Sequence, residues 1–164
     1  MNDIVTPVTG WIDAANSVQA DTIALRRAIH AEPELGLHTP KTMAKVREAL
    51  AELPLEWKTG TSTTGAIAIL RGAKPGRTVL LRGDMDALPM PEDTGLPFRS
   101  KVENTMHACG HDTHTAMLAS AARLLCAKRE SLAGTVLFMF QPGEEGHHGA
   151  RYMIDDGLLS DPAP

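Results

Sequence analysis

The chain has 164 residues and a formal net charge of −4, with 43% hydrophobic and 22% charged residues. This length is that of one ordinary domain of a soluble globular protein, and the negative charge argues against a nucleic-acid partner. No apolar run approaches the roughly 18 residues that a membrane span needs, and the first residues do not resemble a signal peptide. We therefore expect no membrane partner and a cytoplasmic location.

Two helices are predicted in the first third of the chain. Apolar residues recur at helical spacing from about Ile12 to Ile29. The second helix is predicted to begin with Thr39 as its N-cap and Pro40 at its first position, and to end before Pro54.

The rest of the chain alternates between short β-rich runs and helical segments. The predicted strands lie at residues 55–58, 66–70, 78–82 and 135–140, and the predicted helices at residues 115–127 and about 149–156. This order predicts an α/β domain with a largely parallel sheet, in which right-handed crossovers connect the strands.

Acidic residues follow two of these strands. Asp84 and Asp86 come directly after one predicted strand, and Glu144 and Glu145 come soon after another. Ligands of open α/β sheets bind beyond the carboxyl ends of the strands. Because His111 lies at the mouth of the helix between these strands, we expect three segments to converge on one crevice.

A metal-binding pattern lies between the two strands. Residues 106–114, with the sequence MHACGHDTH, contain one thiol, three imidazoles and a carboxylate. The chain has two cysteines, which should stay reduced in a protein without a secretory signal. We interpret Cys109 as a thiolate ligand and Cys126 as a packing residue.

The acidic residues complete the predicted hydrolytic site. If Cys109 bridges two ions and His111 binds one of them, Glu145 can bind the other, which leaves Glu144 free to take a proton from the attacking water. Asp86 is expected to accept the second ring N–H of His111 and fix its tautomer. This division of roles suits amide hydrolysis.

Four motifs then identify a family resemblance. They are RRAIH at residues 26–30 with PELG at 33–36, LRGDMDALP at 81–89, MHACGHD at 106–112, and FQPGEEG at 140–146. In this order and at these intervals they resemble the amidohydrolases of the hippurate hydrolase, aminoacylase and auxin-conjugate hydrolase group, which are relatives of co-catalytic metallopeptidases.

The resemblance implies a zinc-peptidase-like three-layer domain with a mostly parallel sheet. It implies two divalent ions (Zn, Mn, Co or Ni), with Cys109 as the bridging ligand, His111 and Glu145 as terminal ligands, and Glu144 as the general base, supported by Asp86. The implied substrates are N-acyl amino acids. Residues 1–164 resemble roughly the first two fifths of a full member, which is the N-terminal portion of the catalytic domain. The lid and dimerisation domain and the C-terminal half of the catalytic domain, with further metal ligands, are not represented, so at most one bound ion is expected.

Two other functions stay open. One alternative is a non-catalytic remnant of such an enzyme. The other, weaker alternative is a metal-buffering module that uses Cys109, His111, His147 and His148. A sheet edge and an apolar face left without partners predict self-association.

The remaining histidines receive simpler interpretations. His114 is interpreted as a hydrogen-bonding residue in the wall of the site, and His107 is given the same role. His30 and His38, near helix ends, are interpreted as capping or exposed residues.

Overall fold

A computed structural model of the chain describes residues 9–164, with side chains from residue 10 onward. The helices are α1 (Thr9–His30), α2 (Pro40–Ala49), α3 (His111–Ala127) and α4 (Gly149–Asp155), and the strands are β1 (Glu56–Thr59), β2 (Ala66–Arg71), β3 (Lys74–Asp84) and β4 (Ala133–Gln141). None of the described helices is long and apolar enough to cross a membrane.

The predicted α/β class is confirmed, but the prediction of a mostly parallel sheet is wrong for the described strands. The strand order is β1-β2-β4-β3, and only the β3–β4 pair is parallel. Parallel neighbours need a crossover of a dozen or more residues. The link at residues 60–65 is too short for one, whereas the long β3-to-β4 connection contains α3. The two-residue link at 72–73 joins β2 to β3, which run in opposite directions on either side of β4.

The sheet lies between two helical layers. Alternate residues of β2 and β4 face opposite sides, so Phe138 packs in a core with α2 and α3, while Leu137 and Met139 pack with Met153 of α4. The run from 66 to 70 is buried throughout, because both faces of β2 are covered. This arrangement agrees with the three-layer domain that the resemblance implies.

The N-terminus of α2 is capped differently from the prediction. Thr39 holds the N-cap position, and Pro40 is the first helical residue, as predicted, but the Thr39 side chain makes no capping hydrogen bond. The Glu34 carboxylate accepts instead from the backbone N–H groups of Lys41 and Thr42, at 3.1 and 2.8 Å. A carboxylate at a helix N-terminus also interacts favourably with the helix dipole.

β3 forms one edge of the described sheet. Its outer side pairs with no other described strand, and Val79 is 52% exposed. Met117 of α3 is exposed to the same extent. Such an edge offers free backbone donors and acceptors to another chain, so self-association stays a prediction for this protein.

Candidate metal centre

The site lies where β3, β4 and α3 meet. Asp84, the last residue of β3, pairs in register with Gln141, the last residue of β4, so the segments that follow them leave the sheet side by side. His111 is the first residue of α3 and is buried. The chain therefore brings together the three segments that the sequence predicts to converge.

Close packing of α3 on β3 depends on Gly83. A Cβ atom at this position would lie 3.0 Å from the backbone oxygen of His114. The absence of a side chain lets the first turns of α3 approach the end of the strand, and Thr115 donates its hydroxyl to the Asp84 carbonyl at 2.7 Å. His111 and His114 are thereby held over the end of β3.

Asp86 organises the loop that carries the paired glutamates. Its buried carboxylate accepts hydrogen bonds from the backbone N–H groups of Glu144 and Glu145, at 2.9 and 3.0 Å. Burial raises the pKa of Asp86, but the nearby His111 ring and the backbone N–H donors of Glu145 and Glu144 outweigh this effect and leave the pKa below its usual value. Asp86 is therefore ionised and holds the backbone of both glutamates in place.

The structure corrects the expected contact between Asp86 and His111. The Nδ1 atom of His111 lies 2.8 Å from the backbone carbonyl oxygen of Asp86 and 3.6 Å from its carboxylate. The carboxylate is already engaged by two backbone donors, so the carbonyl takes the ring N–H. The consequence for the tautomer is the one predicted, because Nδ1 carries the hydrogen and Nε2 is left free.

The free Nε2 atom of His111 points at three carboxylates. It lies 3.6 Å from Asp84 Oδ1, 3.8 Å from Glu145 Oε1 and 4.0 Å from Glu144 Oε2. Burial lowers the pKa of His111, but the hydrogen bonding to Asp86 and the charge of Asp84 outweigh burial and raise the pKa to about 8. The carboxylates therefore favour a positive charge at Nε2, which a proton supplies near neutral pH and a metal ion can replace.

Cys109, His111 and Glu145 form the first of two clusters with metal-ligand spacing. Their ligand atoms all lie within 4.8 Å of one another. Zinc bonds of 2.0–2.3 Å in a tetrahedral site separate ligand atoms by about 3.4 Å, which small side-chain adjustments can reach. A thiol, an imidazole and a carboxylate also suit several divalent transition metals, so this donor set fits the ions that the resemblance implies.

Metal uptake at this cluster must displace protons. A hydrogen bond with Glu145 is the main cause that raises the pKa of the exposed Cys109 thiol above its usual value, and the pKa of His111 is also raised. Both groups therefore hold a proton near neutral pH. Because a metal binds only the deprotonated forms, it competes with these protons.

Asp84, His111 and His114 form the second cluster. The Nδ1 atom of His114 lies 2.7 Å from Asp84 Oδ1, and Arg82 forms an ion pair with the other carboxylate oxygen at 2.9 Å. The predicted hydrogen-bonding role of His114 is confirmed. Both clusters use His111, whose one free nitrogen can bind a single ion.

The other histidines lie outside these two clusters. His147 packs beside Gly36, where a Cβ atom would lie 3.4 Å from its Nε2, and neither His147 nor His148 joins a metal-ligand group within residues 10–164. His107 is buried, and desolvation lowers its pKa to about 4. Neither ring nitrogen of His107 has a hydrogen-bond partner within the described part of the chain.

The interpretation of His30 as a capping or exposed residue is wrong. His30 is 2% exposed and lies between the carboxylates of Asp112 and Glu92. His38 is exposed, as the sequence interpretation expected.

Comparisons with known proteins agree with the motifs. Residues 80–164 match the model of peptidase family M20/M25/M40. Thermostable carboxypeptidase 1 of Saccharolobus solfataricus is 46% identical over 84% of this chain and 36% of its own length. Hippurate hydrolase of Campylobacter jejuni is 42% identical over 87% of this chain and 37% of its own length.

A solved structure of a family member also matches the fold of this chain. A Bacillus subtilis protein described as a dinuclear metal binding peptidase from the M20 family superposes with a TM-score of 0.83 and 43% identity, over 88% of this chain and 40% of that protein. The chain thus spans little more than a third of the length of the curated relatives it matches. With the family model covering residues 80–164 and the fold in agreement, the chain belongs to peptidase family M20/M25/M40.

Proposed function

We propose that this chain supplies part of a metal-dependent amidohydrolase site that cleaves N-acyl amino acids. The observation that carries the proposal is the cluster of Cys109, His111 and Glu145 with the Glu144 carboxylate beside it. Residues 1–164 are proposed to be the N-terminal portion of the catalytic domain. A cytoplasmic setting suits this proposal, because it would keep the Cys109 thiol reduced.

Each residue of the cluster has a proposed role. Cys109, His111 and Glu145 would hold the metal, with Cys109 proposed as the ligand shared by two ions in a complete site and His111 and Glu145 as terminal ligands. The divalent ions (zinc, manganese, cobalt or nickel) would polarise the scissile carbonyl and make water more acidic. Asp86 holds the backbone of both glutamates, so that one carboxylate is available as a ligand and the other as a base.

Glu144 is proposed to move the proton. Its side chain is 43% exposed and lies 4.0 Å from His111 Nε2, so it can contact both the site and an entering water. Glu144 takes one proton from the water as the oxygen attacks the carbonyl carbon. It then gives that proton to the leaving nitrogen as the C–N bond breaks, which yields a carboxylate and a free amino acid.

The hippurate hydrolase relative supports this substrate class, because hippurate is an N-acyl amino acid. We expect the purified chain, equilibrated with zinc or manganese, to hydrolyse hippurate or N-acetyl amino acids and to lose this activity when a chelator removes the ions. Amino acid release, followed by chromatography, measures the rate. Hydrolysis by a homogeneous preparation would rule out the non-catalytic remnant. A metal-loaded chain that cleaves none of these substrates would contradict the proposed function.

A further inference from the structure

A buried ionic network lies behind the candidate metal centre, at the C-terminal end of α1. The Nδ1 atom of His30 is 2.7 Å from Asp112 Oδ2, and its Nε2 is 3.2 Å from Glu92 Oε1. Arg26 adds a second cation, with its Nε 2.6 Å from the same oxygen of Asp112. The side chains of Asp112 and Glu92 are only 0% and 2% exposed.

The two carboxylates belong to the two segments that flank Cys109. Asp112 lies in the first turn of α3, directly after His111. Glu92 lies in the long connection that leads from β3 to Cys109, where its other oxygen accepts from the backbone N–H of Ser100 at 2.6 Å. A single imidazole on α1 therefore ties together both ends of the segment that contains Cys109.

The contacts of the ring suit this bridging position. Each ring nitrogen of His30 faces one carboxylate oxygen, so the imidazole contacts both carboxylates at once. Phe98 packs against His30 in a T-shaped arrangement, with ring centroids 5.5 Å apart, and the guanidinium groups of Arg26 and Arg27 lie about 5 Å from the centre of the Phe98 ring. Removing the imidazole would leave each of the two buried carboxylates without one of its polar partners.

We propose that His30 is a positioning residue, which holds Cys109 and His111 in ligand geometry by joining Asp112 of α3 to Glu92 of the preceding connection. This inference rests on the proposed function, since it assigns metal binding to Cys109 and His111. It also gives a role to the RRAIH motif, whose residues lie away from the ligands themselves.

The test compares His30→Asn and His30→Gln with His38→Gln, which alters an exposed histidine. The amide nitrogen of Asn reaches about as far as Nδ1 and can keep the bond to Asp112, whereas that of Gln reaches about as far as Nε2 and can keep only the bond to Glu92. We expect zinc affinity, measured by competition with a chromophoric chelator, to fall about 10–100-fold in His30→Gln. His30→Asn should recover only part of this loss, because it keeps the bond to Asp112, next to His111, but no longer joins it to Glu92. His38→Gln should match the parent.

A second measurement needs no metal. Hydrogen exchange of the metal-free proteins should be at least about tenfold faster at residues 107–115 in His30→Gln than in the parent, with β4 unchanged. Unchanged exchange in this segment would overturn the inference, as would parental zinc affinity in His30→Gln. If the parent binds no metal, the proposed function fails, while the exchange comparison still decides whether His30 positions this segment.

Discussion

Replacement of Glu144 by Gln is expected to lower kcat for N-acyl amino acid hydrolysis about 10²–10⁴-fold, the usual contribution of a general base. Gln has almost the same shape as Glu but cannot carry the transferred proton. The backbone N–H of residue 144 would still donate to Asp86, and the side chain is 43% exposed, so the fold should be unaffected. The initial rate of amino acid release at saturating substrate measures the effect.

Two controls make this result specific. Glu103→Gln removes the same charge from an exposed residue far along the chain from the paired glutamates, and it should retain the parental rate. Metal content should be equal in the parent and in Glu144→Gln, because Glu145 is the proposed ligand. A Glu144→Gln protein that keeps more than half of the parental kcat would remove Glu144 from its proposed role.

Asp86→Asn is expected to reduce the free energy of unfolding by about 2–4 kcal/mol, since two charge-assisted hydrogen bonds are lost or weakened in a buried setting. The amide presents its N–H₂ group to one of the backbone donors at Glu144 and Glu145 that the carboxylate now satisfies. The loop would relax, and zinc affinity should fall as well. Urea unfolding of the metal-free proteins near neutral pH measures the stability change.

The difference in the free energy of unfolding between the parent and Asp86→Asn should depend on pH. Because the pKa of Asp86 is lowered, its stabilising contribution is fully present above the usual value of 3.8 and is lost as the pH falls below it. The difference between parent and Asp86→Asn should therefore persist at about pH 5 and close in stronger acid. Asp93→Asn, at an exposed position, is the matched control. An Asp86→Asn protein as stable as this control would contradict the anchoring role of Asp86.

The sequence predicted which segments converge better than it predicted the direction of the strands. Asp84 and Glu145 could be placed together because residues that follow neighbouring parallel strands leave the same sheet edge, and the β3–β4 pair is parallel. Strand direction elsewhere depends on the length of the links, and the periodicity of the strands carries no information about it. The short link at residues 60–65 was the available signal for an antiparallel pair.

Contacts between distant residues were the part that the sequence could not predict. His30 and Asp112 are 82 positions apart, and helical periodicity on α1 does not reveal which segment covers its last turn. The choice between the carbonyl and the carboxylate of Asp86 as the acceptor for His111 depends on where the loop after β4 places its backbone donors. These hydrogen-bond partners depend on how distant segments pack together, and the sequence motifs carry no information about that packing.

Cys109, His111 and Glu145 are proposed to bind a divalent ion together. Metal content per chain, measured by mass spectrometry after equilibration with zinc and removal of loose ions, tests this proposal. We predict one tightly held ion for the parent and none for Glu145→Ala, with a Glu103→Ala protein equal to the parent. A parent chain without bound metal, or binding that survives Glu145→Ala, would show that these residues do not form a metal site.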